Sequence, residues 1–358
     1  MPTYIDHMLS LTGMPLLVLA SALALAAPAL AAWWWHQLDG RSAVFLAGRV
    51  AAVVASQLVA VLAVFAWVNH SYAFYTSWSD LLGNTHQDAG IAVNRASAPD
   101  GSRTTLLHIG GSAAGKARTA LVWLPRQYDE PAYAHTRFPV VVFLPGQPST
   151  PGTTYEKFAV GQVASHAIDT GQVAPFVAVI PPLMTAPPRD TECTDVPHGP
   201  RAESYLEHDL PTAVEHGLRV DPRGPAWTLV GWSTGAFCAA KVGLTQPGSW
   251  GSVVTFGGYF RPVTDHTTGN LFGGDQGLEH ANSPLWLYHH VGSQGLRMLL
   301  IAGRQDREAW PSTVQMLRAT RGNPDVSYIA FPTGGHNYRN YRSYLGRALQ
   351  WAEPGKPA

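Results

Sequence analysis

Ser233 is the residue of this chain best placed to act as a nucleophile. It stands in Gly231-Trp232-Ser233-Thr234-Gly235, with a glycine two positions to either side. The apolar run Trp227-Thr228-Leu229-Val230 precedes it. Ala236-Phe237-Cys238-Ala239-Ala240-Lys241-Val242 follows, so the stretch reads as strand, sharp turn and helix. That context gives the G-x-S-x-G pattern its meaning. The turn holds the serine in a strained backbone conformation, and the glycines let strand and helix approach each other. The hydroxyl is then presented at a helix N-terminus, where N–H groups and the helix dipole favour developing negative charge. The chemistry this suits is attack on a carbonyl carbon.

A serine hydroxyl is a weak nucleophile unless a base takes its proton and an acid orients the base. Downstream, Leu296 to Gly303 reads as a buried strand, and Asp306 lies just past its end. A helix from about Ser312 to Thr320 and a strand, Val326 to Phe331, come next. That strand runs into Pro332-Thr333-Gly334-Gly335-His336, before a helix from about Asn340 to Trp351. Serine, acid and histidine thus each occupy a loop after a strand, where ligand-facing residues of an open parallel sheet collect. The expected roles are nucleophile for Ser233, acid for Asp306 and base for His336. Glu308 is a second carboxylate within reach of the acid role. Singly, each residue also fits a structural part: a Gly/Ser turn, a helix cap, a loop histidine. Their joint order favours a triad.

The tetrahedral intermediate needs two N–H donors for its oxyanion. Thr234 is expected to supply one. The other should come from the loop after the strand Phe138 to Leu144, which is Pro145-Gly146-Gln147-Pro148. Proline carries no N–H, which leaves Gly146 and Gln147, with Gln147 preferred.

The elements that must position these residues alternate. An early hairpin is expected from Arg103 to His108 and Ala117 to Leu124. Strands Val140 to Leu144, Phe176 to Pro181, Thr228 to Val230 and Ser252 to Thr255 follow. Helices are expected near Tyr155 to Thr170 and Tyr205 to Glu215, and after Ser233. Such alternation predicts an α/β domain, a mainly parallel sheet with helices on both faces. Its expected extent is 103–358. Two long stretches, Pro181 to Gly199 and Tyr259 to Asn282, read as loops at the substrate side, and loops of that length are uncommon unless functional.

The N-terminus is of another kind. Met14 to Trp35 is 22 residues without a charge, and Ala43 to Val68 is interrupted only by Arg49, Ser56 and Gln57. Either is long enough to span a bilayer as a helix. Both are flanked by aromatics: Trp33, Trp34 and Trp35 on one, Trp67, Tyr72, Phe74, Tyr75 and Trp78 on the other. These suit a membrane–water interface. Ala29-Leu30-Ala31 resembles a signal cleavage site, but no Lys or Arg precedes the run, so a retained helix is preferred. The expected organisation is a two-helix anchor over 1–70, a tether over 71–102 and then the α/β domain. Arg41 and Arg49 belong to the connection between the runs, and the next basic residue is Arg95. The positive-inside rule therefore places the connection in the cytoplasm and the large domain outside. Two cysteines, Cys193 and Cys238, in a domain so placed suggest one disulfide; two buried free thiols is the other reading.

Composition excludes more than it indicates. The formal net charge is zero, so nothing points to a nucleic-acid partner. There are 15 histidines, yet no H-E-x-x-H and no Cys/His cluster at zinc spacing; His289-His290 reads as a solvated helix end or loop. No phosphate-binding loop or dinucleotide fingerprint is present, so no cofactor and no metal are expected. Oligomeric state is not legible.

From Thr119 to Ala352 the chain resembles the esterase D branch of the α/β-hydrolase superfamily, which also holds mycolyltransferases and feruloyl esterases. The resemblance rests on Leu144-Pro145-Gly146, the segment Asp190-Thr191-Glu192-Cys193-Thr194-Asp195, the Ser233 turn followed by Cys238-Ala239-Ala240, Gly257-Gly258-Tyr259-Phe260, and Gly335-His336. The Glu-Cys segment paired with the later cysteine resembles a membrane-anchored bacterial subset. Pro145 stands where many relatives carry His, and Ala236 where a second glycine is usual. The resemblance implies an α/β-hydrolase fold and a serine esterase acting on a small-molecule, lipid or sugar ester. It also keeps open an acyltransferase with a sugar or lipid hydroxyl as acceptor. A non-catalytic envelope module is the third class, which the Ser-Asp-His order argues against.

Overall fold

A computed structural model describes residues 11, 13–37, 43–72, 78 and 98–353. They fall into two units, one within Met1–Thr85 and the other within His86–Ala358.

The first unit holds two helices, α1 (Met14–Gln37) and α2 (Ala43–Tyr72). Met14–Trp35 and Ala43–His70 have mean hydropathies of 2.1 and 2.3, and each is long and apolar enough to cross a membrane. Leucine, valine and alanine dominate both, so neither helix has a polar face, and Leu23, Leu25, Val61 and Leu62 are turned outward. An exposed apolar surface on that scale is stable only against lipid or another apolar partner. The Arg49 guanidinium lies over the Trp35 ring, 4.8 Å from its centroid. Arg41, Arg95, Phe74, Tyr75 and most of the expected tether lie outside the described residues.

The second unit is built on eight strands: β1 (Arg103–Ile109), β2 (Arg118–Leu124), β3 (Val140–Leu144), β4 (Val177–Ile180), β5 (Gly224–Trp232), β6 (Trp250–Phe256), β7 (Arg297–Gly303) and β8 (Val326–Phe331). Their spatial order is β1-β2-β4-β3-β5-β6-β7-β8. β1 and β2 form the expected antiparallel hairpin, and β2 is antiparallel to β4. From β4 through β8 every pairing is parallel. Parallel neighbours need crossovers, and these supply α3 (Pro151–Lys157), α4 (Val160–Asp169), α5 (Leu210–Gly217), α6 (Thr234–Thr245), α7 (Gln276–Ala281), α8 (Pro284–Val291) and α9 (Ala309–Ala319), while α10 (Leu345–Ala352) follows β8.

Strand periodicity sorts the core into two layers. Along β3, Val140, Val142 and Leu144 join the layer with α5, α6, α8 and α9. Val141 and Phe143 join the layer with α4 and α10. Both faces are covered, so all five β3 residues are buried and the strand reads as an unbroken apolar run. This is the α/β-hydrolase architecture.

Several elements differ from expectation. The helix expected near Tyr155–Thr170 is two, α3 and α4, because Ala159 takes φ 51 and interrupts it. The helix expected at Tyr205–Glu215 opens with one wide turn, Tyr205–Asp209, and becomes α-helical from Leu210, with Pro211 in its first turn. The loop expected from Tyr259 to Asn282 contains α7, which starts where the Asp275 carboxylate accepts from Gly277 N and Leu278 N. α8 follows, with His289 and His290 in its last turn.

Candidate active site

The turn between β5 and α6 places Ser233 at φ 54 and ψ −118, a conformation an L-residue adopts only under constraint. The constraint is visible at both glycines. A Cβ on Gly231 would lie 2.0 Å from Gly235 O, and one on Gly235 would lie 2.0 Å from Leu144 O. Only glycine lets β5, α6 and β3 approach this closely. Ser233 N–H donates to Phe256 O at 3.0 Å, which ties the turn to β6.

His336 reaches Ser233 from the loop after β8. Its Nε2 is 3.0 Å from Ser233 Oγ, and its Nδ1 is 2.8 Å from Asp306 Oδ2. The ring stacks on Trp232, with centroids 4.4 Å apart and planes at 22°. Asn340 Nδ2 donates to Gly335 O at 2.8 Å and so shapes the histidine loop.

Asp306 is buried at the end of β7. Oδ1 accepts from Glu308 N (3.1 Å) and Ala309 N (3.0 Å), and Oδ2 accepts from Tyr341 OH at 2.5 Å as well as facing His336. Burial works against its charge, but the bonds from His336, Tyr341 and Ala309 outweigh it and hold the carboxyl below the usual carboxylate range. Glu308 does not take this place. Its side chain is 78% exposed, and its carboxylate stands 3.9 Å from His336 Nε2, the nitrogen that faces the serine. It approaches the ring from the wrong end to orient it.

Thr234 is the first residue of α6, where backbone N–H groups have no intrahelical partner. The Pro145–Pro148 loop rests on the same turn. A Cβ on Gly146 would lie 2.7 Å from Trp232 Cδ1 and 3.0 Å from Ser233 Cβ. Ser149 N–H closes that loop onto Gly146 O at 2.7 Å, and the Gln147–Pro148 peptide is cis. Gly146 therefore abuts Ser233, and Gln147 is its neighbour.

Behind the turn lie the expected disulfide and, around it, buried polar contacts that the sequence did not announce. Cys193 and Cys238 form a disulfide, with Cα atoms 5.8 Å apart, joining the segment after β4 to α6. Lys241, fully buried one turn further along α6, donates to Cys193 O at 2.8 Å and to Asn282 Oδ1, and pairs with Glu203 at 3.1 Å. Burial lowers its pKa, and the Glu203 carboxylate opposes that. Glu192 Oε1 lies 2.6 Å from Tyr259 OH, and Oε2 accepts from Val263 N at 2.9 Å. Burial raises the Glu192 carboxyl to about 8, despite those bonds. Two segments read from sequence as separate long loops are thus joined. Arg189 adds to this by donating to Thr268 O (2.7 Å) and Asn270 O (2.9 Å).

No cluster of three His, Cys, Asp or Glu side chains suited to a metal occurs among the described residues. The assembled groups can generate a nucleophilic oxygen, shuttle its proton, and offer N–H donors beside it. That is the equipment of acyl transfer.

Residues 111–354 match the family described as "Putative esterase". The chain belongs to that family. An uncharacterized protein of Corynebacterium glutamicum is 27% identical over 248 residues, 66% of this chain; the chain spans 57% of that relative's length. Among solved structures, a ferulic acid esterase superposes with a TM-score of 0.61 at 16% identity, covering 71% of this chain and 98% of its own. An S-formylglutathione hydrolase from Agrobacterium tumefaciens gives 0.60 at 18% identity, with 72% and 98% covered. At such identities the likeness is one of fold.

Proposed function

We propose that the chain is a membrane-anchored serine esterase that cleaves a carboxylic ester outside the cytoplasmic membrane. Ser233 Oγ attacks the ester carbonyl while His336 Nε2 takes its proton. The imidazolium then protonates the leaving alcohol. Asp306 fixes the imidazole tautomer through Nδ1 and stabilises the charge that forms on the ring. The N–H groups of Thr234 and Gln147 hold the oxyanion. Water, activated by His336, then releases the acid from the acyl-enzyme.

One observation carries this reading: the continuous chain from Ser233 Oγ through His336 to Asp306, at 3.0 and 2.8 Å. The anchor rests on the two apolar helices and the orientation on Arg41, between them in sequence, and Arg49, early in α2. The disulfide is consistent with an oxidising compartment.

The test is labelling with a fluorophosphonate, followed by turnover of a p-nitrophenyl ester series. The wild-type chain should label at Ser233 and hydrolyse at least one chain length. Loss of both in Ser233→Ala, with the fold retained, is the expected outcome. Labelling that survives in Ser233→Ala places the nucleophile elsewhere. Product analysis with an added sugar or lipid alcohol separates hydrolysis from acyl transfer: transfer would appear as a new ester in place of free acid.

A further inference from the structure

Thr234, the residue after the nucleophile, is held from behind by its own side chain. Its Oγ1 is 3.2 Å from Asp190 Oδ2 and 3.3 Å from Tyr259 OH, and Tyr259 OH is 2.6 Å from Glu192 Oε1. Three oxygen–oxygen contacts therefore run in series from Glu192 to Asp190. Each needs one proton, and the two hydroxyls supply only two. A proton on either end carboxyl completes the set, and Glu192, the more deeply buried of the two, is the end assigned it. Glu192 then donates to Tyr259, Tyr259 to Thr234, and Thr234 to the Asp190 carboxylate. With Glu192 ionised, the Tyr259 proton turns to the carboxylate, the shortest and charge-assisted contact. The Tyr259–Thr234 contact is then left without one.

We propose that Glu192, acting through Tyr259, is a positioning residue for Thr234: its protonated carboxyl completes the chain that holds the threonine whose N–H faces the oxyanion. This rests on the serine-esterase reading above. The surroundings suit the role. Cys193, next in sequence, is bonded to α6, so Glu192 is carried on the same rigid body as the Ser233 turn. Val263 N–H occupies the other carboxyl oxygen, which leaves Oε1 as the one to bear the proton. The titratable groups facing Glu192 are Asp190 on its own segment, Tyr259 from the loop after β6 and Lys241 from α6. Asp265 acts on Asp190 in turn. Burial dominates all of them and puts the Glu192 transition at about 8, within an accessible range.

The experiment is kcat and KM against pH for the full chain in detergent, with melting and fluorophosphonate labelling as controls. The wild type should lose kcat above about pH 8. Glu192→Gln keeps a donor toward Tyr259 and an acceptor toward Val263 N at every pH. Its ratio of kcat at pH 9 to kcat at pH 7 should rise toward one. Tyr259→Phe and Thr234→Val should each lower kcat about tenfold with KM nearly unchanged, the signature of an interaction made in the transition state. Thr234→Ser, which restores the hydroxyl, should recover most of that loss. An alkaline fall that persists in Glu192→Gln, or full kcat in a folded Thr234→Val, overturns the proposal while leaving the esterase reading intact. A wild-type chain that neither labels nor turns over ester overturns both.

Discussion

At the scale of single residues, the site depends on one histidine being held from both nitrogens. Replacing Ser233 by Ala removes the covalent route and should lower kcat by about ten-thousandfold or more, with little change in melting, because only one hydroxyl is lost. His336→Ala should fall about as far. Asp306→Asn leaves space filled but reverses the preferred tautomer, so a loss of about ten-thousandfold is expected there too. Glu308→Gln should stay within about fivefold, as befits a solvated charge. If steady-state kinetics placed the large loss at Glu308 instead, the acid assignment would fail. Tyr341 offers a finer test. It is one of the donors that keep the Asp306 carboxyl ionised. A depressed folded pKa contributes stability above the ordinary carboxylate range, and that stability is lost as pH falls through the folded value. Tyr341→Phe removes a donor and raises the folded pKa. The acid limb of kcat/KM, and the acid unfolding midpoint, should both move to higher pH. An unmoved limb would mean that Tyr341 only packs.

At the scale of elements, the β5–α6 turn and the segment after β4 carry the strain and the staples. Gly235→Ala forces a Cβ to within 2.0 Å of Leu144 O, a backbone atom. No rotamer can relieve it, so α6 must move away from β3. A destabilisation on the order of several kcal/mol is expected, together with loss of fluorophosphonate labelling. An unchanged melting temperature with full labelling would show that the turn is looser than its geometry implies. The disulfide closes a sequence separation of 45 residues. Replacing both cysteines by alanine should cost about 2–4 kcal/mol, read by denaturant unfolding. It should also lower kcat, because Glu192 and Asp190 are carried on the released segment. Lost stability with untouched kcat would separate the staple from the brace on Thr234.

At the scale of the whole chain, the two units obey different solvents. α1 and α2 expose apolar side chains along their length, whereas the second unit buries both faces of its sheet. A truncated chain starting near residue 98 should therefore be soluble, fold cooperatively and keep the esterase activity of the full chain toward short, dispersed esters. Aggregation of that fragment under reducing conditions only would point to the disulfide. Aggregation under all conditions would mean that the helices complete its core. The proposed orientation has its own readout. Lys116→Cys puts a thiol on the exposed surface of the second unit. In intact cells it should react with a membrane-impermeant maleimide. Reaction only after lysis would place the domain in the cytoplasm.

The sequence by itself determined whatever depends on near neighbours along the chain. Strand and helix periodicity marked the α/β alternation. Turn chemistry marked the Ser233 elbow, and two uncharged runs marked the apolar helices. These signals are local because side-chain direction repeats every two residues in a strand and every 3.6 in a helix. The order serine, acid, histidine was legible for the same reason, since each residue follows a strand that announces itself. Helix boundaries were less legible. The break at Ala159 and the wide turn at Tyr205–Asp209 carry no strong propensity signal of their own. Only the tertiary structure set Asp306 rather than Glu308, two residues apart on one loop, against His336 Nδ1, because that depends on which side chain is buried beside a residue 30 positions away. It alone stacked Trp232 on the His336 ring, brought Tyr341 to Asp306, and joined the two long loops through Glu192, Tyr259 and Lys241. Those contacts link residues tens of positions apart, and no spacing rule encodes them. They arise because a parallel sheet delivers the ends of distant strands to one edge, where packing against neighbours, rather than the local chain, sets which polar groups meet.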